Sequence, residues 1–173
     1  MESQKTRVGE LSVRDASADD AAAIAEIYNH YIRTSHATFE LETIDAGELH
    51  SRIDDTVDKG LPFLVGERAG QVVGYAYGRP FRPRPGYRFA VEIAVYVDLG
   101  NQSTGVATAL YDVLIPRLFE LGAHTLIATI ALPNDGSVRL HERFGFVKSG
   151  ELCQVGRKFD RWVDVGYWQL LKQ

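Results

Sequence analysis

One carboxylate stands in an otherwise apolar run, Val91-Glu92-Ile93-Ala94-Val95-Tyr96-Val97. Two uses of such a group are open from sequence: a general base, or a buried partner for an arginine of the nearby Arg79–Arg88 stretch. A free carboxylate is a poor base for an ammonium group. As a base, Glu92 therefore needs either the apolar neighbours Val91, Ile93 and Tyr96 to strengthen it or a water to relay the proton. Downstream, Gln102-Ser103-Thr104-Gly105-Val106-Ala107 opens a long apolar-periodic segment. The first N–H groups of a helix have no partner inside it and carry partial positive charge. Gly105 and Ala107 have almost no side chain, so a phosphate group could come close to that backbone. The Lys-Ser/Thr pair of a P-loop and the Gly-x-Gly-x-x-Gly of a dinucleotide fold are both missing. Further on, Ser137 and His141 are spaced to share one face of a short helix, and imidazole exchanges a proton near neutral pH.

The elements that must position these groups follow from periodicity. Val91–Val97 reads as a central strand, because Val and Ile dominate it and both faces are apolar. Val106, Leu110, Val113, Leu114, Leu118 and Leu121 recur at helical spacing, so Thr108 to Leu121 reads as a helix, with a kink or break expected near Leu114-Ile115 from Pro116. His124–Ala131 is the next strand, and Asn134–Phe144 a helix stopped by Gly145. Upstream, Glu10–Arg14 reads as a strand. A helix capped by Ser17 follows through Ile24, Ile27, Tyr28 and Tyr31, and a second starts at Asp45 and ends at Gly60. Phe63–Glu67 and Gln71–Tyr77 form a hairpin through Ala69-Gly70, with Gly74 marking a bulge or a close approach. The tail, Phe146–Leu171, gives two strands around a connection at Gly150–Arg161. In Arg79–Arg88, three prolines oppose a ladder while arginines are presented beside Phe81 and Tyr87. That stretch is either a stiff exposed turn or a substrate-facing loop whose guanidinium grips an anion.

The 173 residues fit one domain, 1–173, with 1–9 as a flexible N-terminus. A hydrophobic content of 45% with 24% charged residues is ordinary for a soluble globular chain, and a net charge of −4 argues against nucleic acid or anionic membrane as the main partner. The single cysteine, Cys153, excludes an internal disulfide and a multi-Cys zinc site, suits a cytoplasmic setting, and reads as a small buried or half-buried residue. No second ligand is spaced to join His30 on a metal, no apolar signal core occupies Met1–Val13, and no run reaches membrane-spanning length.

Gln102-x-x-Gly105-x-Ala107 after an apolar strand resembles the acetyl-CoA pyrophosphate loop of the GNAT acetyltransferase superfamily. The block Leu132-Pro133-Asn134-Asp135-Gly136-Ser137-Val138-Arg139-Leu140-His141 through Phe146 is similar to the last conserved block of that superfamily. In detail it resembles the phosphinothricin acetyltransferase branch and its relatives acting on methionine sulfoximine or sulfone. Further matches to that branch stand in order at Ile27–Ile32, Val91-Glu92 with Val95–Val97, Gly156–Phe159 and Trp162–Trp168, so the resemblance covers the chain from Leu11 onward.

This resemblance implies an α+β fold of GNAT type, a mixed, mostly antiparallel sheet of six to seven strands flanked by helices. The strands Val91–Val97 and His124–Ala131 splay apart to admit pantetheine. It also implies a homodimer and metal-free acetyl transfer from acetyl-CoA to the α-amino group of a small amino-acid analogue by direct attack. The catalytic positions carried over are Glu92 and His141; much of the superfamily has tyrosine where this branch has histidine, and Tyr111 and Tyr96 are rivals for the acid. Val95, Tyr96 and Val97 would lie along pantetheine and polarise the thioester. Gln102, Ser103, Thr104, Gly105, Val106 and Ala107 would hold the pyrophosphate, with Asn134 and Ser137 beside the pantetheine arm. Phe39, Phe81, Arg82 and Tyr87 would enclose the acceptor. Two other readings remain: acetylation of a protein N-terminus or a polyamine, which the basic Arg79–Arg88 stretch disfavours, and a non-catalytic acyl-CoA-binding regulator.

Overall fold

The computed structural model describes residues 10–173; the segment expected to be a flexible N-terminus, 1–9, lies outside them. In chain order the elements are β1 (Leu11–Asp15), α1 (Ala21–Thr34), α2 (Ala46–Asp58), β2 (Phe63–Arg68), β3 (Gln71–Pro80), β4 (Ala90–Val97), α3 (Val106–Glu120), β5 (Thr125–Leu132), α4 (Asp135–Arg143), β6 (Val147–Lys158) and β7 (Arg161–Leu171). Local chemistry sets several boundaries. The Asp45 carboxylate accepts the Glu48 N–H at 2.8 Å to start α2, and the Asn134 side-chain oxygen accepts the Ser137 N–H at 3.1 Å to start α4. Asp20 accepts from the Ser17 N–H and hydroxyl at the entry to α1 and takes a bidentate pair from Arg14, which together hold its pKa down at about 2.

The strands form one seven-stranded sheet in the order β1-β2-β3-β4-β5-β7-β6. Every pairing is antiparallel except β4 with β5. That parallel ladder is short: Ala90, Val91 and Glu92 pair with Thr125, Leu126 and Ile127, and the strands then part. Apolar layers fill both faces. On one, Leu110, Leu114 and Leu118 of α3 pack on Val91, Ile93, Leu126 and Ala128; on the other, Ile24, Ile27 and Tyr28 of α1 and Leu49 and Ile53 of α2 pack on Phe63, Val65 and Tyr75. Each fully buried leucine contributes roughly 1.5–3 kcal/mol, so the α3 row fixes that helix firmly against the sheet.

Gly74 answers to both readings of it. The β2–β3 register shifts beside it, and a Cβ there would stand 2.8 Å from Val106 Cγ1 and 3.0 Å from the Tyr96 carbonyl. The start of α3 thus sits directly on β3.

Four expectations are corrected. α3 is not broken at Pro116 but is one helix from Val106 to Glu120, and both Pro116 and Asp112, whose carbonyl the proline leaves without its helical partner, are exposed. β3 continues to Pro80, making Arg79 a strand residue; β2 starts opposite Tyr77, so beyond that point proline interrupts no second ladder. β6 and β7 are longer than expected, joined only by Phe159 and Asp160 at φ 50° and 56°. Such a turn favours Gly or Asn, and Phe at positive φ gives no sequence signal for it. Cys153 is exposed, because β6 is an edge strand with little buried surface.

Candidate active site

Past Glu92, β4 pairs only with β3, and past Ile127, β5 pairs only with β7. The gap between them is a cleft of about 620 Å³. Ile93–Val97 form one wall and Ala128–Ala131 the other; the start of α3 and the face of α4 close it. Of the residues expected around a co-substrate, Val95, Tyr96, Val97, Gln102, Ser103, Gly105, Val106, Ala107, Asn134, Ser137 and His141 all line this cleft. Thr104 stands apart from them. Its hydroxyl donates to the Asn101 carbonyl at 2.6 Å and accepts from Arg68 at 3.2 Å on the outer side of the loop.

The loop is shaped for an anion. Ser103 and Gly105 have φ of 59° and 88°, which turns the chain sharply into α3. The first helical bond runs from the Ala109 N–H to the Gly105 carbonyl at 2.9 Å, so the N–H groups between have no partner inside the helix. Sequence reasoning missed two supports. Arg68 donates to Asn101 Oδ1 at 2.8 Å and braces the loop from β2. The Tyr31 hydroxyl donates to the Val97 carbonyl at 2.6 Å and accepts from Gln102 Nε2 at 3.2 Å, tying α1 to the cleft wall. Tyr31 was visible only as a core position of an amphipathic helix.

His141 is buried and doubly anchored. Nδ1 lies 2.7 Å from the Ser137 carbonyl, and a carbonyl only accepts, so Nδ1 carries the proton. Burial lowers the pKa of the ring, against the smaller effect of that bond, so it is neutral at physiological pH. Nε2 is then an acceptor and takes the Tyr111 hydroxyl at 3.0 Å. Burial raises the phenol of Tyr111 above its ordinary value.

Glu92 lies on the opposite face. Side chains alternate along a strand: Val91 and Ile93 enter the α3 layer, whereas Tyr96 joins the aromatic group of α1, and Glu92 shares its side. The carboxylate therefore stands at the vertex where the strands part, facing away from His141. Arg79 holds it through both oxygens, Nη2 to Oε1 at 2.9 Å and Nε to Oε2 at 3.1 Å. Burial opposes the charge on Arg79, but the Glu92 bonds more than offset it and its pKa is raised.

The expected acceptor residues divide. Phe81 and Tyr87 meet edge to face at 6.0 Å, and Arg82 lies over the Phe81 ring at 4.8 Å. Phe39 packs instead on Gly156 of β6, where an added Cβ would fall 2.2 Å from its ring. Elsewhere, Glu151, Cys153 and Asp164 bring their polar atoms within 4.8 Å of one another; they are largely exposed, and Asp164 already accepts the Gln154 N–H at a bulge.

The family model for the acetyltransferase (GNAT) domain matches residues 13–166. The chain belongs to the GNAT acetyltransferases. It is 40% identical to the phosphinothricin N-acetyltransferase of Streptomyces viridochromogenes over 159 residues, 92% of this chain and 86% of that one. It is 37% identical to the L-methionine sulfoximine/L-methionine sulfone acetyltransferase of Pseudomonas aeruginosa over 160 residues, 92% and 93% of the two chains. A phosphinothricin acetyltransferase from Sinorhizobium meliloti, solved with acetyl-CoA, superposes with a TM-score of 0.90 at 33% identity, covering 93% of this chain and 88% of that one. The protein is thus an acetyl-CoA-dependent N-acetyltransferase, and the split strands, open α3 start and Asn134 cap are the features that fit its co-substrate.

Proposed function

We propose that this GNAT enzyme acetylates the α-amino group of a small amino acid with a polar tetrahedral side chain, of the methionine sulfoximine, methionine sulfone or phosphinothricin type. The names of its relatives support that acceptor class. The observation that carries the reading is the position of Glu92: a carboxylate at the vertex of the split, on the face away from the α3 loop, beside an arginine. Acetyl-CoA supplies the thioester. Glu92, directly or through a water, takes a proton from the ammonium group, and the freed amine attacks the thioester carbonyl. The C–N bond forms as the C–S bond breaks.

On the other face, Tyr111 and His141 act as a neutral pair. A thiol ionises near 8.5, well below a buried phenol, so Tyr111 keeps its proton and, by turning it from His141 Nε2, offers a thiolate only a hydrogen bond. His141 has its one proton committed to Ser137 and serves to orient Tyr111. The arginines of Arg79–Arg88 suit an acceptor carboxylate and oppose a polyamine.

A cytoplasmic homodimer belongs to the same proposal. No described helix is long and apolar enough to cross a membrane. The β6–β7 hairpin leaves Val147, Val155, Phe159 and Trp162 half or more exposed, an apolar row of the kind a second copy would cover. Sedimentation at micromolar concentration should give twice the chain mass. For the chemistry, thiol release should be followed across amino-acid analogues, polyamines and peptide N-termini. Turnover confined to the last two groups would refute the acceptor class.

A further inference from the structure

Both oxygens of Glu92 are held by a guanidinium, so a substrate's proton must compete with that cation for the carboxylate. Yet the pair is unequal: the Glu92 side chain is 13% exposed and that of Arg79 is 56% exposed. The arginine is the member an incoming molecule meets first, and a carboxylate is the ligand its planar fork matches. Arg79 sits directly across the ladder from Glu92, at paired positions of β3 and β4, so a molecule held by one is within reach of the other. Arg82, in contrast, lies on the Phe81 ring and makes no bond to Glu92.

We infer that Arg79 is the residue that reads the acceptor's α-carboxylate, and that it does so by exchanging Glu92 for it. The inference rests on the amino-acid reading above. Two N–H···O bonds from Arg79 to Glu92 are replaced by two to the substrate, so the guanidinium stays fully paired. Glu92 is released only when an amino acid is present, with the ammonium group beside the carboxylate it has displaced. The ammonium N–H bond then breaks, its electron pair stays on nitrogen, and the proton forms an O–H bond with Glu92, to be lost to solvent after acetyl transfer. An amine without a carboxylate would leave the base clamped. Arg79 thus makes base activation conditional on the correct acceptor.

The test compares kcat/KM for methionine sulfoximine and its decarboxylated amine, at saturating acetyl-CoA, in the wild type, Arg79→Ala, Arg79→Lys and Arg82→Ala. The wild type should prefer the amino acid by about 10- to 100-fold. Arg79→Ala should lose that preference from both sides, through a higher KM for the amino acid and an unchanged or higher kcat/KM for the amine, whose base is no longer held. Arg79→Lys, which keeps the charge without the fork, should lose part of it and guards against a folding defect in the alanine variant. Arg82→Ala should raise KM for both compounds alike. Wild-type preference retained in Arg79→Ala and Arg79→Lys would overturn the inference while leaving the proposed acceptor class intact. Equal use of both compounds by the wild type would overturn any carboxylate reading, and wild-type turnover of neither would overturn the acceptor class itself.

Discussion

The two sides of the proposed site are built from different material. On the proposed co-substrate side the molecule offers backbone: the N–H groups opening α3, a glycine at φ 88°, and the unpaired edges of β4 and β5. On the proposed acceptor side it offers side chains, Glu92 with Arg79 and the Phe81, Arg82, Tyr87 group. A backbone site depends on chain path and is blocked by adding a side chain. A side-chain site can be retuned residue by residue without moving the chain. The comparison implies that variants at one end should leave the other untouched.

The largest effect should come from Glu92→Gln, which keeps the shape and removes the base. Turnover should fall by 10²–10⁴-fold, roughly 3–5 kcal/mol, with acetyl-CoA affinity measured by calorimetry nearly unchanged. If Glu92 serves only as an ion-pair partner, melting temperature and co-substrate affinity should drop together, and the comparison breaks. At the other end, acetyl-CoA at a hundred times its dissociation constant should add about 2.7 kcal/mol of stability without any amine present. Gly105→Glu places a carboxylate where the pyrophosphate would lie and forces a side chain onto φ 88°, so thermal shift should show much of that gain lost.

Arg68→Ala removes the outer brace of the loop and no cleft-lining group. It should weaken acetyl-CoA binding by a few-fold while acceptor KM stays constant, since bonds of this kind are worth about 1–2 kcal/mol at most when half exposed. The smallest effect concerns acid stability. The folded pKa of His141 lies below its unfolded value, so its contribution is present above about 6.5 and is lost as pH falls below that. Melting temperature should decline between pH 7 and 5 more steeply in the wild type than in His141→Gln.

Backbone and side chain also differed in what could be read beforehand. The α3 loop was legible because glycine and alanine after an apolar run leave few alternatives, and nearly all the residues expected there line the cleft. The strands themselves were equally plain wherever apolar residues alternate or fill both faces. What stayed hidden depends on partners distant in sequence: Arg79 opposite Glu92, Arg68 under the loop, and Tyr31 bridging to Val97. That His141 shares a helix face with Ser137 was readable from their spacing, but its neutrality follows from burial, which sequence alone does not show. The β6–β7 turn was misplaced because its two left-handed residues include a phenylalanine, and an exposed edge strand has no buried face to reveal its period.

The brevity of the β4–β5 ladder has a dynamic consequence. Among the described residues, three residue pairs, from Ala90–Thr125 to Glu92–Ile127, are the only strand pairing between β1–β4 and the β5-β7-β6 unit, and α3 packs on both sides of that seam. Each side has long antiparallel ladders of its own, so the short seam ladder frays more readily than they do while α3 holds the two sides together. Amide hydrogen exchange should therefore be faster for the seam amides than for β3 or β7. Because acetyl-CoA would touch both walls, its binding should slow exchange across the seam itself.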